Sequence, residues 1–312
     1  MNKIPGNIVP SFEVQKALEE GLPIVALEST VLTHGLPYPQ NLEVFHTLEE
    51  ILHGEKVTPA TIIVLDGVAH IGLDEGTVEM LESRLRAGYR FEKLGMRDLG
   101  LASAKSVSGG TTVSATMKLA SLSGIEIFAT GGIGGVHRDW EQTLDISSDL
   151  SALATLPVAV VSAGCKAILD VPATLEYLET LAVPVWGWQT DRFPLFYTSS
   201  SEHPIARIDT PEEFATAWLR HWELGGKGVL VANPIPASSS LPSGQINPHI
   251  EAALAEARSR NICGKALTPF LLDFLARRTK GASVTANLEL LQNNVRLAAR
   301  LATALQDSKE AR

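Results

Sequence analysis

Six short runs made mostly of Val, Ile, Leu and Ala recur along this chain, and segments with helical spacing separate them. Each run is four or five residues long, mostly apolar on both of its faces, and has Gly or Pro nearby. Such runs are typical of strands in a sheet that helices cover on both sides. The predicted strands are residues 24–27, 61–65, 125–129, 158–161, 183–186 and 228–232.

The segments between these strands carry helix start signals. Apolar residues at positions 44–52 fall three or four apart, and Asn41 before them is the predicted N-cap. Thr210 precedes a proline and predicts a second capped start, residues 268–269 predict a third, and residues 288–302 repeat apolar side chains at helical spacing. Strands alternating with helices predict an α/β fold, namely a layered α/β/α sandwich with a largely buried central sheet.

No low-complexity linker and no internal repeat divides the 312 residues. The chain is therefore expected to form a single domain over residues 1–312, with a charged tail after about residue 306. Residues 238–245 are rich in Ser and also contain Pro and Gly, and they are interpreted as a long surface loop that could act as a lid.

The charge balance and the cysteine content exclude several classes of protein. The formal net charge is −9, which disfavours a surface for nucleic acid or for an anionic membrane but allows one basic pocket for a small phosphate. Only Cys165 and Cys263 are present, so a disulfide framework is not expected. No signal-peptide pattern and no apolar run of about 18 residues occurs, so the prediction is a cytoplasmic protein.

A glycine-rich turn follows the predicted strand 125–129. Residues 131–135 read Gly-Gly-Ile-Gly-Gly, and turns of this kind let backbone N–H groups approach an anion. A dinucleotide site is disfavoured, because neither a clean helix nor a ribose-binding acid follows at the required distance. A sharp turn without a ligand remains an alternative, but His137 and Arg138 at its end favour binding of a phosphate or a substrate.

A second glycine segment, residues 109–113, is interpreted as a turn that opens a helix at residues 114–122. Hydroxyl groups and free N–H groups at a helix start suit a phosphate, which makes Thr112 a candidate binding residue. Ordinary N-capping by Thr111 or Thr112 is the alternative interpretation.

An acidic turn reads Asp145-Ile-Ser-Ser-Asp149. Two carboxylates four positions apart would lie on one side of a helical turn, and oxygen ligands at this density suit Mg²⁺ or Mn²⁺. One or two carboxylates cannot surround a metal, so any bound cation would keep several water molecules. Helix capping by Ser147 and Ser148, with no metal, is the alternative.

Three ionisable residues are candidates for chemistry. Lys166 follows the predicted strand 158–161 in a turn of small residues, and poor solvation of its amine would favour the neutral, nucleophilic form. Glu28 ends the predicted strand 24–27 beside an apolar wall, where it could act as a general acid or simply cap a turn. Lys93 belongs to a polar cluster that is also consistent with a solvated turn. Chemistry alone thus predicts an α/β enzyme for a small phosphorylated substrate.

These segments together resemble the pseudouridine-5′-phosphate glycosidases, a family that includes the indigoidine synthase A-like proteins. The similar segments run in order from about residue 11 to residue 305, and those between residues 129 and 149 are the most specific. The main ones are residues 26–30, 34–41, 93–98, 110–113, 129–138, 145–149, 163–166, 231–236, 268–272 and 287–294. Gly95, Met96 and Cys165 depart from the expected family pattern.

The resemblance implies reversible cleavage of the C–C glycosidic bond of pseudouridine 5′-phosphate to uracil and ribose 5-phosphate, as in a pseudouridylate synthase. It also implies a lysine Schiff base, one Mn²⁺ or another divalent cation per subunit, a homotrimer, and no nucleic-acid or membrane partner. In the implied roles Lys166 is the nucleophile, Glu28 the proton donor, Lys93 a catalytic and substrate-holding lysine, and Asp145 the metal carboxylate. The implied or candidate substrate contacts are Thr112, Val113, His137, Ser147, Ser148, Asp149 and Asn287.

Two other functions stay open at this stage. A lyase similar to class I aldolases would share the Schiff-base lysine but would not release uracil. A non-catalytic nucleotide sensor would keep the fold without needing Glu28, Lys93 and Lys166 together.

Overall fold

The computed structural model describes residues 6–262 and 264–312, so Cys263 lies outside the described residues. Within these residues eleven strands form one sheet, in which most neighbours are parallel. The strands are β1 Ile8–Pro10, β2 Ile24–Glu28, β3 Thr58–Leu65, β4 Val68–Ile71, β5 Glu92–Leu94, β6 Gly109–Thr111, β7 Ile127–Ala129, β8 Ala159–Ser162, β9 Val185–Trp188, β10 Ala206–Ile208 and β11 Val229–Ala232.

Helices flank this sheet, which confirms the predicted α/β class with a central sheet. The α-helices are α1 Phe12–Glu20, α2 Gln40–Gly54, α3 Glu75–Arg86, α4 Leu99–Ala104, α5 Val113–Leu122, α6 Trp140–Thr143, α7 Ser148–Thr155, α8 Val171–Thr180, α9 Pro211–Glu223, α10 Ser243–Ser259, α11 Leu267–Arg278 and α12 Ala282–Glu310. A π-helical turn covers Val31–Gly35, and short 3₁₀ turns cover Met96–Asp98, Ala237–Ser239 and Gly264–Ala266.

The six predicted strands are confirmed, with ends that shift by up to three residues. Strands β2, β7, β8 and β11 are buried along nearly their whole length, as a sheet covered on both faces requires. Their order across the sheet is β2-β7-β8-β11, and all three contacts are parallel. The residues that come after these four strands therefore meet at one edge of the sheet, called here the carboxyl edge.

The second glycine segment was predicted wrongly as a turn. Gly109–Thr111 is strand β6, which pairs with β5 on one side and with β3 on the other. Glycine is needed here for close packing: a Cβ at Gly109 would lie 2.6 Å from the carbonyl oxygen of Glu92. Two adjacent glycines suggest a turn in the sequence, but here they let neighbouring strands come together.

Two further local predictions are corrected. Asn41 lies inside α2, whose N-cap is Pro39, and its amide donates a 2.7 Å hydrogen bond to the carbonyl of Leu32. Residues 238–245 are not one long loop, because α10 begins at Ser243. The capped start at Thr210 is confirmed, since its hydroxyl accepts a hydrogen bond from the N–H of Glu213.

Candidate functional site

Glu28 is the last residue of β2 and projects from the carboxyl edge. The hydroxyl of Thr30 donates to Glu28 Oε2, and the hydroxyl of Thr130 donates to Glu28 Oε1. The sequence predicted an apolar wall beside this carboxyl group. Strand β2 is apolar up to Glu28, but the carboxylate itself contacts two hydroxyl groups. Thr130 comes directly after β7, so the contact joins the ends of two neighbouring strands.

The glycine-rich turn at residues 131–135 runs beside the segment that comes after β8. Backbone hydrogen bonds join the two segments, from Ala163 N–H to Gly131 (3.0 Å) and from Lys166 N–H to Ile133 (3.0 Å). The glycines make room for protein side chains, because a Cβ at Gly132 would lie 2.6 Å from Phe196 Cε2. The turn therefore holds the backbone of Lys166 directly against the end of β7.

Lys166 is half-buried and comes after Cys165, which is fully buried. Burial raises the pKa of the Cys165 thiol to about 12, so this thiol stays protonated and is not a competing nucleophile. The interpretation of Cys165 as a small packed residue agrees with its complete burial. Of these two side chains, the amine of Lys166 is therefore the one that remains a candidate nucleophile after β8.

Electrostatic effects on His137 indicate that three other candidate residues lie near its imidazole. Burial is the main cause that lowers the pKa of His137, and the positive charges of Lys166 and Lys93 lower it further. The carboxylate of Asp145 acts in the opposite direction and raises it. His137 and Asp145 also belong to facing segments, since the His137 N–H donates to the Asp145 carbonyl at 3.0 Å. Lys166, Lys93 and Asp145 therefore lie within electrostatic range of a single imidazole, that of His137.

Asp149 has a different position from the one its spacing to Asp145 suggested. Helix α7 begins at Ser148, so Asp145 lies outside it and the two carboxylates do not share a helix face. Asp149 is 5% exposed, and its carboxylate accepts hydrogen bonds from the N–H groups of Ser114 (2.9 Å) and Gly134 (2.8 Å). Asp149 thus ties the start of α5 to the glycine-rich turn.

Hydroxyl groups cluster where α5 and α7 begin. Ser147 is the N-cap of α7 and accepts a hydrogen bond from the N–H of Asp149. Ser148 contacts the hydroxyl of Ser114 at 3.0 Å, and Thr112 contacts the same hydroxyl at 3.2 Å. Thr112 occupies the N-cap position of α5, but its side chain makes no cap hydrogen bond.

Val113 and Asn287 complete the predicted set. Val113 is buried as the first residue of α5. Asn287, on α12, lies against the glycine-rich turn, where a Cβ at Gly131 would be 3.3 Å from its Oδ1 atom. Three polar residues at this edge were missed by the sequence analysis, namely Thr130, Asn233 and Asn294. Asn233 follows a strand and Asn294 lies within a helix, and neither residue type nor spacing distinguishes them from solvated asparagines.

The available donors fit only a metal ion that keeps most of its water. Among residues 6–262 and 264–312, no group of three or more His, Cys, Asp or Glu side chains is arranged to hold a metal. Asp149 is occupied by two backbone N–H groups, which leaves Asp145 as the carboxylate of the acidic turn that is open to a cation. A hard cation held by one carboxylate and completed by water is typical of Mg²⁺ and Mn²⁺ sites.

Two of the cavities in the described part of the chain lie at opposite edges of the sheet. One of about 400 Å³ adjoins the candidate site, and its lining includes Arg138, Ala167 and Asp170. The other, of about 450 Å³, lies at the amino edge beside the first residues of β2 and β7, Ile24 and Ile127.

None of the helices in the described part of the chain is long and apolar enough to cross a membrane.

Comparisons with known proteins agree on one family. Residues 13–304 match the family model described as indigoidine synthase A like protein. A pseudouridine-5′-phosphate glycosidase of Caldanaerobacter subterraneus is 50% identical over 297 residues, which cover 95% of each chain. A protein of the same name from Methylobacterium nodulans is 49% identical over 301 residues, covering 95% of this chain and 88% of the relative.

Two solved structures have the same fold. The prealnumycin C-glycosynthase AlnA, in complex with ribulose 5-phosphate, superposes with a TM-score of 0.89 at 36% identity, covering 98% of this chain and 99% of that one. An indigoidine synthase A-like protein of Thermotoga maritima superposes with a TM-score of 0.86, also at 36% identity, over 96% of each chain. On these grounds the chain belongs to the indigoidine synthase A-like family.

Proposed function

We propose that this protein is a pseudouridine-5′-phosphate glycosidase, which reversibly cleaves the C–C glycosidic bond to give uracil and ribose 5-phosphate. One observation carries the proposal: Glu28 and Lys166 lie at the ends of nearby strands at one edge of the sheet, and Lys93 lies within electrostatic range of the same imidazole as Lys166. The relatives at 46–50% identity that bear this name support it over nearly the whole chain.

The bond to be broken explains why an amine is required. A C–C bond has no heteroatom leaving group that an acid could protonate, so the pair of carboxylates used by ordinary glycosidases is insufficient. Attack of Lys166 Nζ on C1′ forms an N–C bond while the bond from C1′ to the ring oxygen breaks, and that oxygen takes a proton. The nitrogen lone pair can then expel uracil as its C5 atom is protonated. Water adds to the resulting iminium and releases ribose 5-phosphate and the free amine.

Glu28 is suited to move these protons. A threonine hydroxyl can donate to a carboxylate or, after rotation, accept from a carboxylic acid, so Thr30 and Thr130 can hold either form in one place. A general acid or base must lie within hydrogen-bond reach of the atom it protonates, and fixed threonine partners keep Glu28 in one position. In this proposal Lys93 holds the substrate and assists opening of the sugar ring.

The hydroxyl cluster and the half-buried imidazole of His137 are assigned to the substrate phosphate and sugar. Ser147, Ser148 and Thr112 lie at the starts of two helices, where N–H groups and the helix dipole favour an anion. His137 has a lowered pKa and is neutral near pH 7, so it can hydrogen-bond to the sugar without adding charge. Asn287 is assigned to the uracil ring.

Asp145 is the residue proposed to hold a divalent cation, Mn²⁺ in the first instance. When bound, such a cation would supply positive charge beside the anionic substrate. Asp145 would bind it mainly with water completing the shell. The family resemblance also supports a homotrimer, which light scattering coupled to gel filtration would measure directly.

The test of the proposed function is incubation of the protein with pseudouridine 5′-phosphate and divalent cation, followed by chromatography. Free uracil and ribose 5-phosphate in equal amounts are expected. A Schiff base to a sugar phosphate without release of uracil would instead favour the aldolase-like lyase. Binding without any turnover would favour the nucleotide sensor.

A further inference from the structure

A chain of buried amide and hydroxyl groups crosses the carboxyl edge and ends at Glu28. Asn233, just after β11, donates from Nδ2 to Asn294 Oδ1 on α12 at 3.0 Å. Asn294 in turn donates from Nδ2 to the carbonyl of Thr130 at 2.8 Å, and the hydroxyl of Thr130 donates to Glu28. The first three of these residues are at most 4% exposed.

Asn294 is fully buried in a helix whose inner face is otherwise mostly apolar. A buried amide is tolerated only where its hydrogen bonds are satisfied, and an apolar side chain would pack at such a position without this requirement. Both ends of the Asn294 amide have partners, and Nδ2 also lies 3.4 Å from the carbonyl of Gly131. The amide therefore orders polar backbone at the carboxyl edge.

Thr130 needs this external support because the next two residues in the chain, Gly131 and Gly132, are glycines. Glycine itself adopts a wide range of backbone angles, so these two residues hold the end of β7 in place only weakly. The N–H of Thr130 is fixed by the carbonyl of Val161 at 3.0 Å, while its own carbonyl is fixed by Asn294. With both backbone groups fixed, the hydroxyl of Thr130 is directed at Glu28.

Helix α12 carries a second amide on the same face. Asn287 and Asn294 are seven positions apart, which is about two helical turns. Asn287 lies against Gly131, and Asn294 lies one residue earlier along the same turn, at Thr130. One helix, α12, thus contacts this segment at two successive residues. Asn287, which is proposed to address uracil, lies against Gly131, and Asn294 holds Thr130, which orients the proposed proton donor.

We propose that Asn294 is a positioning residue for Glu28, acting through the backbone of Thr130 and held in turn by Asn233. The assignment rests on the proposed function, in which Glu28 moves the protons. Asn294 does not contact the reacting atoms in this scheme. Its effect is on the proton transfers that Glu28 performs during turnover of pseudouridine 5′-phosphate. Ribose 5-phosphate opens to its aldehyde in solution, so its attachment to Lys166 does not require those transfers.

The test compares Asn294→Leu with Asn293→Leu. Asn293 is the neighbouring residue on α12 and donates a 3.1 Å hydrogen bond to the carbonyl of Pro234. Its replacement removes a similar amide contact that is not part of the series of hydrogen bonds leading to Glu28. For Asn294→Leu, kcat with pseudouridine 5′-phosphate is expected to fall about 10- to 100-fold, the size of effect that a small misplacement of a reacting group produces. KM is expected to stay within about 2-fold. Asn293→Leu is expected to change neither.

Reductive trapping separates positioning from general damage to the site. With ribose 5-phosphate and borohydride, Asn294→Leu is expected to form the same adduct on Lys166 as the wild type. Unchanged kcat, an equal loss in Asn293→Leu, or loss of the adduct would each overturn the assignment. If Asn294→Leu does not fold, Asn294→Ser removes the same contact with a smaller side chain and is judged by the same criteria. Failure of the wild type to release uracil would overturn the proposed function itself, before any variant is compared.

Discussion

The two edges of the sheet differ in what their polar groups contact. At the amino edge, a cavity of about 450 Å³ has an otherwise uncharged lining, and its two charged residues, Glu126 and Lys309, pair with each other. At the carboxyl edge, Glu28, Lys93 and Lys166 come from three separate strands or their extensions. Cavity size alone therefore does not distinguish the two edges, and the proposed site is assigned to the edge where Glu28, Lys93 and Lys166 converge.

Lys166→Ala is expected to have the largest effect, because it removes the nucleophile. Turnover of pseudouridine 5′-phosphate should fall at least about 10³-fold, while substrate binding stays measurable by calorimetry. Lys309→Ala, at the amino edge, is the matched control and should keep wild-type kcat. Wild-type turnover in Lys166→Ala would remove this lysine from the mechanism.

Glu28→Gln keeps the shape of the side chain and its threonine contacts but cannot transfer a proton. The expected loss in kcat is about 10²- to 10⁴-fold, the usual contribution of a positioned acid or base. Steady-state kinetics of Glu28→Gln and Glu126→Gln, measured side by side, compares the carboxyl edge of the sheet with the amino edge. Equal losses in the two variants would show that the carboxyl edge has no special role.

Removal of divalent cations tests Asp145. Exhaustive chelation is expected to lower kcat, and Mn²⁺ is expected to restore it, because a single carboxylate holds a hydrated cation loosely. The variant Asp145→Ala should start from a lower kcat and respond weakly to either treatment. If chelation leaves the kcat of the wild type unchanged, Asp145 has only a structural role in the acidic turn.

Gly134→Ala tests the close packing of the glycine-rich turn. A Cβ there would lie 2.7 Å from Ser147 Cβ and 2.8 Å from Asp149 Oδ2. Thermal and urea unfolding should show a loss of about 1–3 kcal/mol, together with a lower kcat/KM. Gly100→Ala is the control, since no atom lies within 4 Å of its Cβ position in α4; it should be neutral or stabilising by up to about 1 kcal/mol. Equal stability of the two variants would contradict the packing argument.

The smallest effect is expected from Glu126→Gln at the amino edge. The substitution removes the ion pair with Lys309 but leaves an oxygen to accept the 3.1 Å hydrogen bond from Trp218 Nε1. Partly exposed ion pairs contribute little, so the free energy of unfolding should fall by no more than about 1 kcal/mol, with kcat unchanged. A large loss of activity would show that the amino edge takes part in function.

The central strands could be predicted from the sequence because each is a buried apolar run, as in β2, β8 and β11. Strand β6 could not, because two glycines that permit close strand packing look the same as two glycines in a turn. Among local signals, the cap at Thr210 was reliable since its partner, the N–H of Glu213, lies only three positions away in the chain.

The candidate site was predictable only in part. Lys166 and Glu28 lie at the ends of predicted strands, so their place at the sheet edge could be expected from residue pattern. The partners of Asp149 could not, because its two N–H donors lie 35 and 15 positions away in the chain. Asn294 was not identified for the same reason: its contact with Thr130 spans 164 positions.

The most direct test of the central claim is reductive trapping. The protein is mixed with pseudouridine 5′-phosphate, treated with borohydride, digested, and analysed by peptide mass spectrometry. The account predicts one sugar-phosphate adduct, located on the peptide that contains Lys166 and absent from Lys166→Ala. An adduct on a different residue, or turnover with no adduct at all, would contradict it.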